Sequence, residues 1–199
     1  QEIVAQAQNF TSVVCYVPLN ESWGVRKILS DPRQQDFARS LYRLTKALDP
    51  SRPVSTNDGW ENSDETDIIS IHDYAKLGVG FAEKYRPENY DSMYPNGGRR
   101  LMQEGCSYRG QSVMFTEFGG IAMQKDAGGG NWGYNDAAQD EEGFLDRYAG
   151  LMHGIAQCDF DGFCYTQLTD VQQEVNGLLD EDHVPKFDIE KIAALTRIR

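Results

Sequence analysis

The chain has 199 residues, 40% hydrophobic and 11% aromatic. At roughly 100–200 residues per domain this supports one sizeable core and excludes a disordered tail or a disulfide-stapled miniprotein. Nineteen Lys and Arg against 31 Asp and Glu leave a net charge of -12, which repels a phosphate backbone and argues for no nucleic acid partner. No run approaches the ~18 apolar residues of a membrane span, and residues 1–8 lack the basic start and apolar middle of a signal peptide. The chain therefore reads as soluble, with no membrane partner.

Taken in order, apolar β-branched runs alternate with helical patterns, the mark of parallel βα units. Residues 11–19 (TSVVCYVPL) are continuously apolar, as in a strand buried on both faces. Asp31-Pro32 supplies an N-cap with proline at the first helical position, and Gln34 is placed to complete a capping box. Phe37, Leu41, Leu44 and Leu48 then mark one helical face, which Asp49-Pro50 ends. Residues 53–57 and 67–72 (DIISIH) read as a second and third strand. The stretch 75–96 has no clear period, and a short helix is expected over 99–104. Residues 112–118 (SVMFTEF) form a fourth strand ending in Gly119-Gly120, and 124–135, with Gly128-Gly129-Gly130, a long loop. Phe144, Tyr148, Leu151, Met152 and Ile155 give a helical stripe, 161–168 a fifth strand, and a last helix starts at Asp188.

Polar residues choose the architecture. Nearly every strand ends in groups able to do chemistry: Asn20-Glu21, Asn57-Asp58, His72-Asp73-Tyr74, Glu117, and Gln167 with Thr169-Asp170. Chemistry collects at several strand ends in a (β/α) barrel and at one switch point in an open sheet. The expected fold is thus α/β, a partial (β/α)8 TIM barrel, since five strands cannot close an eight-stranded cylinder. The four cysteines, Cys15, Cys106, Cys158 and Cys164, show no CxxC spacing and are expected as buried free thiols. His153 and His183 have no carboxylate or Cys at ligand spacing, so no metal is expected.

Glu21 and Glu117 each follow an apolar run and come from different strands. Parallel strands bring their C-terminal ends to one side of a sheet, so both carboxyls could serve one pocket. Hydrolysis of a glycosidic bond needs two carboxyls, one to protonate the leaving oxygen and one to attack the anomeric carbon or activate water. Trp23, Trp60, Tyr74, Phe118 and Trp132 would offer flat apolar faces to a carbohydrate substrate, and His72 and Gln167 could point into the same pocket.

These residues carry a resemblance. Leu19-Asn20-Glu21-Ser22-Trp23-Gly24 resembles the acid/base signature ending the fourth barrel strand of family 2 glycoside hydrolases, the family of β-galactosidases, β-glucuronidases and β-mannosidases. Thr116-Glu117-Phe118-Gly119-Gly120 resembles their nucleophile signature at the seventh strand. The run from Tyr165 to Val171, followed by Glu174-Val175-Asn176-Gly177-Leu178-Leu179, resembles the eighth-strand region of one bacterial branch. The likeness extends from about residue 10 to about residue 188. It implies a retaining exo-β-glycosidase, β-galactosidase-like, with Glu21 as general acid/base, Glu117 as nucleophile, Asn20 on the sugar 2-hydroxyl, Tyr74 orienting the nucleophile, and no cofactor.

Thr166 stands where the relatives often place a tryptophan, which leaves the sugar open. The resemblance also implies that residues 1–199 are a single domain, the C-terminal part of a TIM-barrel catalytic domain, about strands 4 to 8 with their helices. The N-terminal β-sandwich domains and first strands would lie in a missing N-terminal part of the parent enzyme. The isolated fragment would then be inactive or weak, and its bare apolar face would favour a homo-oligomer. Cytoplasm or periplasm would house it. Two other readings stay open: a related endo-acting barrel glycosidase, and a non-catalytic carbohydrate-binding or assembly module.

Overall fold

The computed structural model describes residues 1–95, 98–126 and 128–197; residue 96 of the 75–96 stretch and residue 127 of the 124–135 loop lie outside the described residues. The chain opens with helix α1 (Glu2–Ala7), and α2 (Pro32–Leu48) starts where its cap is written. The Asp31 carboxylate accepts from the Arg33 N–H at 3.0 Å, with Pro32 in the first turn. Gln34 does not close a capping box, because its Oε1 accepts from the Lys27 N–H at 2.8 Å. The expected apolar face is turned outward: Phe37 is 52% and Leu44 44% exposed, whereas Gln35 and Ala38 are buried. Small Ala38 packs on Val25 and Ile28, and the Gln35 amide donates to the Leu29 and Glu104 carbonyls, so the neighbours, not the apolar count, select the buried side.

The partial (β/α)8 barrel expected from the sequence is not what forms. The sheet is a small parallel one of three strands, β1 (Ile68–Asp73), β2 (Ser112–Gly119) and β3 (Gly162–Thr166), in that spatial order. Residues 11–19 and 53–57 build no ladder and meet only through single parallel bridges, Tyr16 with Val54 and Asn20 with Asp58. The pairing is short, Tyr16 N–H to the Pro53 carbonyl and Ser55 N–H to the Tyr16 carbonyl, because the next donors are claimed by side chains: the Thr56 N–H by Thr66 Oγ1 at 3.0 Å and, just beyond the two segments, the Ser22 N–H by Asn57 Oδ1 at 3.0 Å and the Gly59 N–H by Ser70 Oγ at 2.9 Å. Such side-chain acceptors compete with a sheet for the same donors, Pro18 and Pro53 supply none, and Val14 and Val17 are exposed. The helix expected over 99–104 is also absent. Met102 bridges Asn62 there, and short α3 (Phe81–Lys84) and a 3-10 turn (Pro87–Asn89) form earlier instead.

The chain divides into two compact units. The first comprises Gln1–His72, Pro87–Thr116 and Phe160–Gly162. Its core has a Val4, Tyr16 and Val54 cluster, a Val25, Ile28 and Ala38 cluster, and Phe115 against Phe160 with ring centroids 5.4 Å apart. The second comprises Asp73–Arg86, Glu117–Asp159 and Phe163–Arg199. Here α4 (Glu141–Ala156) buries the stripe read from the sequence, and its N-cap Asp140 accepts from the Gly143 N–H. Phe144 stacks on Phe187 at 3.8 Å, and the Tyr148 hydroxyl meets Thr196 Oγ1 at 2.8 Å, joining α4 to α5 (Ile189–Thr196). All four cysteines are free, but only Cys106 and Cys158 are buried; Cys15 is half-buried and Cys164 exposed. Burial pushes the Cys158 thiol up to about 11. Among the described residues no helix is long and apolar enough to cross a membrane.

Candidate active site

In the first unit Glu21 sits in a turn made of uncommon backbone: Glu21, Ser22 and Glu61 have φ of 51°, 59° and 49°. A side chain at such φ costs about 1–2 kcal/mol and persists only where neighbours fix it. The fixing groups are explicit. The Glu21 N–H donates to the Asp58 carbonyl at 3.0 Å. The Ser22 hydroxyl donates to Glu61 at 2.5 Å, and the Asn57 amide donates to Ser22 Oγ and to the Trp60 carbonyl.

Behind the turn, fully buried His72 at the end of β1 places Nδ1 2.9 Å from Glu21 Oε1 and Nε2 3.4 Å from Asp58 Oδ2. Burial works to raise the Asp58 carboxyl, but hydrogen bonds from His72, Thr116 and Ser70 outweigh it and hold the group below the usual carboxylate range. The Asp58 carboxylate 3.4 Å away favours the proton on Nε2, which turns the Nδ1 lone pair toward Glu21. A protonated Glu21 then donates to Nδ1, and an imidazolium donates to an ionised one, so in either state a proton lies between them. Gly59 makes room for this ring: its φ is 97°, and a Cβ there would run into the imidazole of His72.

In the second unit half-buried Glu117, near the end of β2, accepts a hydrogen bond from the Tyr74 hydroxyl. Tyr74 Oη also reaches Thr166 Oγ1 at 3.4 Å, and its ring stacks on Tyr134 at 3.4 Å with planes 3° apart. The Asn135 amide donates to the Tyr74 carbonyl at 2.8 Å. Burial, and then the hydrogen bond to Glu117, push the Tyr74 phenol far above its ordinary value. Tyr74 is therefore a donor at every accessible pH. Gly119 follows at φ 88°, where a Cβ would strike the Tyr165 ring.

The remaining sequence-read residues distribute unevenly. Trp60 is buried and packs in a T-shape with His72, ring centroids 5.7 Å apart. Trp23 is exposed and lines a pocket with Glu21. Asn20 is exposed at its bridge to Asp58. In the second unit Trp132 is exposed beside Tyr134 at 5.5 Å, and Gln167, half-buried, donates to the Glu174 carbonyl at 3.5 Å. Phe118 offers no face to a ligand, being fully buried against Phe163 and Tyr165. Sequence reasoning marked Asn57-Asp58 as a strand end able to do chemistry but gave Asp58 no role, and it left out Glu61 and Arg99. The run Asn57-Asp58-Gly59-Trp60-Glu61-Asn62 was the available signal, with four polar side chains around a glycine directly after a buried segment.

No protein-family model matches the chain, and neither does any curated protein. Solved structures do. The chain superposes on a GH2 β-galacturonidase from Eisenbergiella tayi bound to galacturonate with a TM-score of 0.66 and 18% identity, over 98% of this chain and 35% of that one. A β-glucuronidase from Faecalibacterium prausnitzii gives 0.64 and 19%, over 99% and 33%. A Bacteroides uniformis β-glucuronidase 2 covalently bound to cyclophellitol-6-carboxylate aziridine gives 0.64 and 15%, over 93% and 24%. At these identities the likeness is one of fold. The chain spans about a third of the length of the first two, and these neighbours are glycuronidases, which lends no support to a β-galactosidase-like specificity.

Proposed function

We propose that the chain carries the catalytic glutamates of a retaining β-glycosidase, Glu117 as nucleophile and Glu21 as general acid/base. The observation that carries this reading is the hydrogen bond from an always-protonated Tyr74 to Glu117. A fixed phenol O–H aims the carboxylate and stabilises its ionised form, as an attacking oxygen requires. Glu21 has the complementary surroundings, since the Glu21–His72 contact accommodates both an acid and a carboxylate.

The steps balance on those groups. Glu117 attacks the anomeric carbon as the glycosidic C–O bond breaks, and the Glu21 proton passes to the departing oxygen. Glu21, now a carboxylate, deprotonates water, which cleaves the glycosyl ester and restores Glu117 with the anomeric configuration retained. The chemistry uses protein groups alone and a carbohydrate substrate. Galacturonate and glucuronate join galactose as sugars to test, because the structural neighbours are named for them. The short span of the match supports a longer parent enzyme, whose additional sequence would complete the sugar pocket.

The test is a panel of aryl β-galactosides, β-glucuronides and β-galacturonides, with the chain and an upstream-extended version compared side by side. Hydrolysis with retained anomeric configuration by NMR is expected, together with a loss of at least about 1,000-fold in E117Q. A mechanism-based inactivator should leave its adduct on Glu117, read by peptide mass spectrometry. An inverted product, or hydrolysis undiminished in E117Q, overturns the reading.

A further inference from the structure

Within the first unit, Glu21 opens onto a cavity of about 220 Å³ lined by Glu21, Ser22, Trp23, Arg26, Trp60 and Arg99. That is less than the ~300–1,000 Å³ of drug-sized ligand sites, so it admits one ring rather than two. Its walls are two arginine–indole pairs, Arg26 over Trp23 at 5.2 Å and Arg99 over Trp60 at 5.9 Å. Trp60 is only 8% exposed, and its Nε1–H has no acceptor among the described residues.

The charges in this pocket do not cancel. Arg99 is matched by buried Glu61, 3.1 Å away, whose second charge-stabilising contact is the Ser22 hydroxyl. Among the described residues, Arg26 has only the indole face as partner. When Glu21 carries the proton it is to donate, the pocket is left with one unmatched cation in a chain of net charge -12. A guanidinium in this position offers a bidentate fork to a planar anion, and the exposed Trp23 indole offers a flat apolar surface to a ring.

We propose that this pocket binds the leaving group, and that the leaving group it takes is an aryl carboxylate, its ring against the exposed Trp23 indole and its carboxylate on Arg26. This rests on the reading of Glu21 as the acid that protonates the departing oxygen, and it adds the substrate class on that side of the scissile bond. It also assigns a specificity role to Arg26, which the sequence did not mark.

The experiment is calorimetric titration of the full chain with 4-hydroxybenzoate, phenol and glucuronate, repeated with R26Q. Arg26 is exposed, so the variant should keep its fold, and R26K provides a variant that retains the charge without the fork. The expected result is 4-hydroxybenzoate binding about ten-fold tighter than phenol, a preference lost in R26Q, only partly kept in R26K, and weakened by salt. Equal binding of 4-hydroxybenzoate and phenol, or a preference unchanged in R26Q, overturns the proposal. Arg26-dependent binding of glucuronate without that of 4-hydroxybenzoate also overturns it, and moves the anion to the sugar. No turnover is involved, so undiminished hydrolysis by E117Q would remove the glycosidase reading separately.

Discussion

Glu21 is surrounded by charges and amides, Glu117 by rings. Around Glu21 the buried neighbours are His72, Asn57, Ser22 and Glu61, with Asp58 behind, each bonded to another polar group. Glu117 accepts from the Tyr74 hydroxyl, whose ring is clamped by the Tyr134 ring, while Tyr165 fills the space beside Gly119. Under the proposed roles, the difference teaches how a fold can assign two identical side chains to different work: a network of polar groups around the acid/base, and a fixed phenol O–H on the nucleophile.

The comparison can be broken at each side. The largest effect is expected from Y74F, which removes the Tyr74 hydroxyl from Glu117: kcat for an aryl glycoside should fall about 100-fold with an unchanged melting temperature, and a drop under three-fold would remove Tyr74 from the mechanism. On the other side, G59A forces a Cβ into the His72 ring at a positive φ. It should cost about 2 kcal/mol of stability in denaturant unfolding, and an unchanged midpoint would show that the imidazole is not held by that contact.

D58N should cost about 1–2 kcal/mol near pH 7 by weakening the hold on His72 and Thr116. Because the folded Asp58 value is depressed, its contribution is full above the unfolded value of about 3.9 and is lost as pH falls through the lower folded value. The melting gap between wild type and D58N should therefore close below about pH 4; a gap that widens there contradicts the assignment. The smallest effect belongs to the outer face of α2, where F37S should change stability by less than about 0.5 kcal/mol. A larger loss would mean that Phe37 is covered in solution.

Much of this molecule is written locally. Asp31-Pro32 and Asp188 mark helix starts because a carboxylate before the first turn satisfies orphan N–H groups wherever it occurs. The α4 stripe and the apolar runs of β1, β2 and β3 follow from periodicities of 3.6 and 2 residues, and the two glutamates can be picked out because each closes such a run. Tyr74 was legible for a related reason, lying one residue beyond β1.

Tertiary structure decided the rest. Residues 11–19 have the composition of a buried strand, but a ladder needs a partner with free donors and acceptors, and Thr66, Ser70 and Asn57 claim the donors of the segments alongside. The apolar count of α2 could not reveal which face Ala38 would press inward. Glu21 meets His72 across 51 positions of sequence, and Arg99 meets Glu61 across 38. The sequence by itself determined which segments form α2, α4, α5 and the three strands, since caps and periodicity act within a few residues. Only the tertiary structure decided which partners surround each carboxylate, because competition for buried hydrogen bonds is settled among groups that the chain brings together from far apart.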